Sequence, residues 1–197
     1  METEKSFTYK ELEELSKELK KKNRVRVKQT RKVPKCVRTD EFKSLIEKTP
    51  KTDNVARISF LLAYGAGMRI SEVLRALPEH FREKSIFIPE SKYGVERIVP
   101  KPKGWKDDFF KYLPITKNLG GSRRAVQEKF KKYAKLAKLP TYYSFHSLRH
   151  GFATRLLENG TPINQVSMLL GHANIQTTSI YVKANPVDAI KSYEDLF

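Results

Sequence analysis

Apolar residues recur along this chain at helical spacing, with two interruptions. Leu12, Leu15 and Leu19 form a thin stripe behind the capping pair Thr8 and Glu11, which predicts a helix over 8–22. From Lys20 to Arg38 the pattern lapses: ten basic residues, no acidic one, and only scattered valines. This first interruption reads as an arm or linker lying on phosphate backbone. From Thr39 the helical period returns. A helix capped by Thr39 or Asp40 runs to Lys48 with Phe42, Leu45 and Ile46 inward, and Pro50 ends it. A second, over 53–66, carries Val55, Ile58, Phe60, Leu61 and Leu62 into a Gly65-Ala66-Gly67 turn. A short third helix spans 70–77 and is closed by Pro78.

The second interruption is β-rich. Residues 85–89 and 95–99 flank the turn Glu90-Ser91-Lys92-Tyr93-Gly94, which predicts a hairpin with Lys92 near its tip. Residues 101–121 carry a weak signal, with a helical tendency over 105–112. Over 122–139, Val126, Phe130, Tyr133, Leu136 and Ala137 share one face. Opposite them stand Arg123, Arg124, Lys129, Lys131, Lys132, Lys135 and Lys138. Helices follow over 146–159, stopped by Gly160, and over 162–170, started by Pro162; two short ones are expected near 174–183 and 186–195. The fold class is therefore mainly α with a small antiparallel β-sheet (α+β). Residues 1–38 form a helix and basic arm, and 39–197 the globular domain.

Composition sharpens this picture. The 197 residues are 39% apolar and 11% aromatic, enough for a sizeable core. The 39 basic residues against 22 acidic give +17, which favours a polyanionic partner, since Lys and Arg displace counterions from DNA or RNA. The basic face holding Arg123, Arg124, Lys131, Lys132 and Lys135 is the expected DNA-binding surface. The single cysteine, Cys36, excludes an intrachain disulfide and a cysteine-rich zinc site, and no metal-ligand spacing is present. The apolar stretch Ile58–Ala66 is too short to span a bilayer, and the N-terminus lacks an apolar signal core. The expected location is the cytoplasm, on nucleoid or host-cell DNA.

The chemistry concentrates late in the chain, in His146-Ser147-Leu148-Arg149-His150, Leu169-Leu170-Gly171-His172 and Tyr181. Guanidinium groups clamp phosphate oxygens, imidazole moves protons near neutral pH, and a tyrosine hydroxyl can be a covalent nucleophile. Composition alone leaves Tyr142, Tyr143 and Tyr193 as rivals to Tyr181.

Two earlier pieces complete a set: Gly67-Met68-Arg69-Ile70-Ser71-Glu72 and the run from Ser91 through Lys92 and Arg97 to Pro100. In this order the pieces resemble the catalytic domain of tyrosine recombinases, the phage-integrase or Xer type of site-specific recombinase, over 39–190. The resemblance implies that Arg69, Lys92, His146, Arg149 and His172 serve the nucleophile Tyr181, with Glu72 and His150 in support. It also implies cutting and rejoining of DNA through a 3′-phosphotyrosine, without ATP, metal or other cofactor. Double-stranded DNA is the implied partner, with self-association into dimers or tetramers on it and no membrane. Attack on a phosphodiester builds charge on the non-bridging oxygens, which Arg69 and Arg149 are suited to stabilise. His146 is the expected base, His172 a phosphate donor, and Lys92 a proton source for the leaving oxygen. Relatives usually carry a helical DNA-gripping domain ahead of the catalytic one; only 38 residues precede the globular part here, as in an excised catalytic domain or a short variant gripping DNA with its arm. Val187, Ile190, Tyr193 and Leu196 give the tail an apolar edge for a neighbouring protomer or for packing in cis. Two alternatives share the scaffold: type IB topoisomerase-like relaxation, and non-catalytic DNA binding.

Overall fold

The computed structural model describes Glu14, Glu18 and residues 35–89 and 96–171. The chain divides into two compact units, Met1–Lys32 and Val33–Phe197. In the first, Glu14 and Glu18 are helical and exposed. The rest of the helix expected over 8–22 lies outside the described residues, as do the two helices expected after 171.

The second unit is built around α2 (Asn54–Gly65), which follows α1 (Thr39–Lys48). Apolar on every side, α2 can only be a core element. Ile58, Phe60, Leu62 and Ala63 are wholly buried. Asp53 caps it, accepting from the Ala56 N–H at 3.1 Å. The α1 cap differs from expectation: Glu41 reaches back to the Arg38 N–H at 2.8 Å, so neither Thr39 nor Asp40 supplies the cap.

The short α3 (Ile70–Arg75) leads through a 3-10 turn, Pro78–His80, to β1 (Ser85–Ile88) and β2 (Arg97–Pro100). The two strands pair antiparallel, with Ser85 opposite Pro100 and Ile88 opposite Arg97. The turn with Lys92 lies outside the described residues. A 3-10 helix, Asp107–Tyr112, lies inside the weak region, within the helical tendency expected over 105–112, while Trp105 stacks on Phe81 at 4.5 Å. The four-residue α4 (Ile115–Asn118) had no sequence signal.

The long α5 (Arg123–Leu136) is capped by Ser122 and buries Val126, Phe130, Tyr133 and Ala134. Phe130 and Tyr133 meet the Phe60 ring at 5.8 and 6.4 Å. Leu136, expected inward, is 53% exposed. The inward position of the last turn belongs to Ala134, with Ala137 partly buried just beyond the helix, and Leu136 sits about 200° round from Ala134. Lys129 also departs from the expected outer face: it turns to Asp53, 2.6 Å away, where Tyr133 also donates at 2.7 Å. Together they pin α5 to the start of α2.

α6 (His146–Glu158) packs on α2, and α7 (Ile163–Leu170) on α6. Val37, assigned to the arm from its basic surroundings, is a core residue instead. Its N–H donates to the Ser147 carbonyl at 3.1 Å, and its own carbonyl fills the space a side chain on Gly151 would need. An apolar residue with a backbone partner is driven inward whatever charges flank it.

Candidate active site

The site starts from a turn only glycine can make. Gly67 has φ 65°, and a Cβ there would lie 2.5 Å from the Phe152 ring. Its carbonyl accepts from Arg149 Nη1 at 2.6 Å. One residue thus aims the chain toward Arg69 and seats Arg149, although 82 positions separate Gly67 from Arg149.

Arg69 leads into α3, and Glu72, one turn on, folds back over it. The Arg69 N–H donates to Glu72 Oε2 at 2.7 Å, and Arg69 Nη1 to Oε1 at 2.9 Å. The same carboxylate receives two bonds from Arg97, Nη1 to Oε1 at 3.0 Å and Nη2 to Oε2 at 2.7 Å. Arg149 Nη1 stands 3.9 Å from Oε2. Burial by itself would raise the Glu72 pKa; the Arg97 hydrogen bonds and charge, the Arg69 N–H and the Arg149 charge reverse this, holding it below the ordinary value. Three guanidinium groups around one carboxylate leave a formal excess of two positive charges among these four side chains.

The arginines are also fixed from the opposite side. The last carbonyls of a helix lack partners and carry the negative end of its dipole. At the end of α7, Leu169 O accepts from Arg97 Nε at 2.8 Å, Leu170 O from Arg149 Nη2 at 2.5 Å, and Gly171 O from Arg69 Nη2 at 2.9 Å. Three consecutive carbonyls hold three different arginines. Gly171 closes α7 with φ 60°, and a Cβ there would lie 3.0 Å from both Cδ and Nη1 of Arg97.

His146 opens α6. Crowding of its ring by protein, then the charges of Arg149 and Arg69, push its pKa below the ordinary 6.5. The imidazole is therefore neutral at physiological pH and free to accept a proton. The His150 ring meets it edge-on at 4.7 Å. A pocket of about 430 Å³ joins His146 and Ile70 to Arg124, Gln127 and Lys131 of α5. The basic face therefore begins where the imidazole ends. Arg123, Arg124, Lys131, Lys132 and Lys135 are all exposed on it, and Arg124 pairs with Glu128 at 2.8 Å.

Of the residues expected to act together, Arg69, Glu72, His146, Arg149 and His150 converge. Lys92, His172 and Tyr181 lie outside the described residues. One rival tyrosine, Tyr143, does not suit the role. Tyr143 donates toward Glu41 at 3.2 Å, and burial together with that carboxylate drives its pKa well up, so it resists ionisation. Tyr142 is 58% exposed, with Lys35 4.4 Å from its ring centre. Among the described residues, no three His, Cys, Asp or Glu side chains gather as metal ligands. No helix among them is long and apolar enough to cross a membrane.

Sequence reasoning passed over Arg97, although a signal existed. In β2 the odd positions Arg97 and Val99 face inward, while Ile98 is 62% exposed. A strand with arginine on its buried face and isoleucine in water inverts the usual pattern and marks a charge with a partner.

The phage integrase family model matches residues 35–187. The chain belongs to the phage integrase family. Among members of the family, tyrosine recombinase XerA of Thermococcus onnurineus is 31% identical over 177 residues, covering 82% of this chain and 62% of its own length. Tyrosine recombinase XerD of Ralstonia nicotianae is 32% identical, over 78% of this chain and 57% of its own. The chain thus spans about three-fifths of the length of these curated relatives. The crystal structure of XerA recombinase superposes with a TM-score of 0.62 at 25% identity, covering 92% of this chain and 73% of that one. The family fold is thereby shown: a mostly helical domain with one small antiparallel sheet.

Proposed function

We propose that this chain is the catalytic portion of a site-specific DNA recombinase that breaks and rejoins DNA strands through a covalent 3′-phosphotyrosine. The observation that carries the reading is the convergence of Arg69 and Arg149 on Glu72, beside a neutral His146, in a cluster with surplus positive charge. Such a cluster suits a phosphodiester whose non-bridging oxygens gain charge during attack.

In this reading the Tyr181 oxygen bonds to phosphorus and gives its proton to His146. The bond from phosphorus to the 5′ oxygen breaks, and that oxygen takes a proton from Lys92. The 3′ side stays joined to the enzyme. Attack by a second strand's 5′ hydroxyl then reverses each transfer and frees Tyr181. His172 donates to the phosphate, and His150 supports the imidazole. Both the family and its relatives named as tyrosine recombinases favour rejoining to a new strand over simple relaxation. The α5 face lies on double-stranded DNA, the residues before Thr39 form a helix and basic arm, and copies associate on the DNA.

The reading is tested with nicked duplexes drawn from a random pool, resolved on a denaturing gel. A covalent adduct with the wild type, lost in Tyr181→Phe, supports it. An adduct surviving that substitution moves the nucleophile elsewhere, and no adduct from the wild type refutes catalysis by this chain.

A further inference from the structure

We propose that Arg97 is a positioning residue of this site, setting both the placement and the positive field of Arg69 and Arg149. The inference rests on the strand-transfer reading above and extends it to a side chain with no assigned role.

A guanidinium is costly to bury unless every face of it is partnered. Arg97 is 9% exposed and meets that condition with a fork of three bonds. Two go to Glu72 on α3 and one to Leu169 O at the end of α7. One rigid plane therefore spans the two elements that hold the other arginines. A lysine could supply the charge but not this geometry. The space is shaped to the fork as well, since a Cβ on Gly171 would press on Cδ and Nη1 of Arg97.

The second contribution is electrostatic. Arg97 occupies both oxygens of Glu72, so this carboxylate is shared among three guanidinium groups. Without Arg97, Glu72 is left to Arg69 and Arg149, and the formal charge of the cluster falls from +2 to +1. The two arginines facing the phosphate would then be more fully neutralised by their own support.

The test uses the full chain and a nicked duplex it cleaves, in two forms. One has an ordinary scissile phosphodiester. The other has a methylphosphonate there, which lacks the charged non-bridging oxygen. Arg97→Lys, which keeps the charge but not the fork, and Arg97→Met, which removes both, are compared with wild type for single-turnover adduct formation at saturating protein, and for duplex affinity. With the phosphodiester, each variant is expected to lose about 10²-fold in rate, with affinity within about twofold of wild type. With the methylphosphonate the deficit is expected to shrink to about threefold or less, because the charge Arg97 helps to stabilise is gone. An equal deficit on both substrates, or none on either, overturns the proposal in favour of a purely structural Arg97. If wild type forms no adduct at all, the strand-transfer reading fails and this inference falls with it.

Discussion

Glu72 and Arg97, 25 positions apart, meet in a two-pronged ion pair at 2.7 and 3.0 Å, with both side chains 6% exposed. Breaking one half of such a pair strands a buried charge, which costs more than the pair itself contributes. Glu72→Gln is expected to lower stability by about 3–5 kcal/mol in urea unfolding. Glu72→Gln combined with Arg97→Met should lose less than the two single changes added together, because the Arg97 guanidinium is no longer stranded opposite a neutral side chain. Additive losses would mean the two side chains act independently.

Acid should weaken the fold through two carboxylates. Burial raises the pKa of each by itself. Arg97 reverses this for Glu72, and hydrogen bonds from Lys129 and Tyr133 do so for Asp53, so both folded values lie below the ordinary 4.5 and 3.8. Their contributions are complete above those ordinary values and are lost as pH falls through the lower folded ones. Unfolding midpoints followed from neutrality into acid should hold down to about 4.5 on account of these groups and then decline. Asp53→Asn should shallow the decline.

The lowered pKa of His146 has a separate signature in rate. A protonated imidazole cannot take the Tyr181 proton, so adduct formation should fall as pH drops through that pKa, below 6.5. The acid limb should vanish in His146→Gln. A limb centred above 6.5 would point to another group.

Gly67→Ala should damage two things together. A left-handed backbone at a non-glycine residue costs about 1–2 kcal/mol, and the added methyl meets the Phe152 ring for about 1–3 more. The Arg149 seat on Gly67 O shifts with it. Thermal unfolding should show the loss, and the adduct rate should fall at temperatures where the variant remains folded.

The lysines of α5 should separate into two kinds. Replacing Lys131, Lys132 and Lys135 together is expected to flatten the salt dependence of DNA binding, by about 0.9 in the log–log slope for each phosphate no longer neutralised. Lys129→Ala should leave that slope unchanged and lower stability instead, since its ammonium is tied to Asp53. Equal slope changes from both would refute this division.

The helices of the second unit were legible where the period was long and the ends were punctuated, as with Pro50 after α1 and Gly160 after α6. Legibility failed where distant partners decide. Nothing near Arg97 in sequence reveals Glu72 or Leu169. Likewise, Lys129 looks like its neighbours until Asp53, 76 positions earlier, is in view. The turns over 107–118 are short, and the first of them rests on ring contacts of Phe109 with Trp105 and of Phe110 with the distant Phe81, which carry no repeat to detect. The convergence of Arg69, Glu72, His146 and Arg149 followed from motif order, whereas the grip of three arginines on one helix end did not.

Val37 bears on where this protein can be cut. A fragment beginning at Thr39, the boundary that charge composition suggests, would discard a core side chain and the bond to Ser147, the residue next to His146. It would also open a void over Gly151 on the face of α6 that packs inward. Trimming the basic N-terminal residues should therefore stop before Val33, where the compact unit begins. A shorter piece would confuse the effect of losing the basic residues with the loosening of the histidine's own helix.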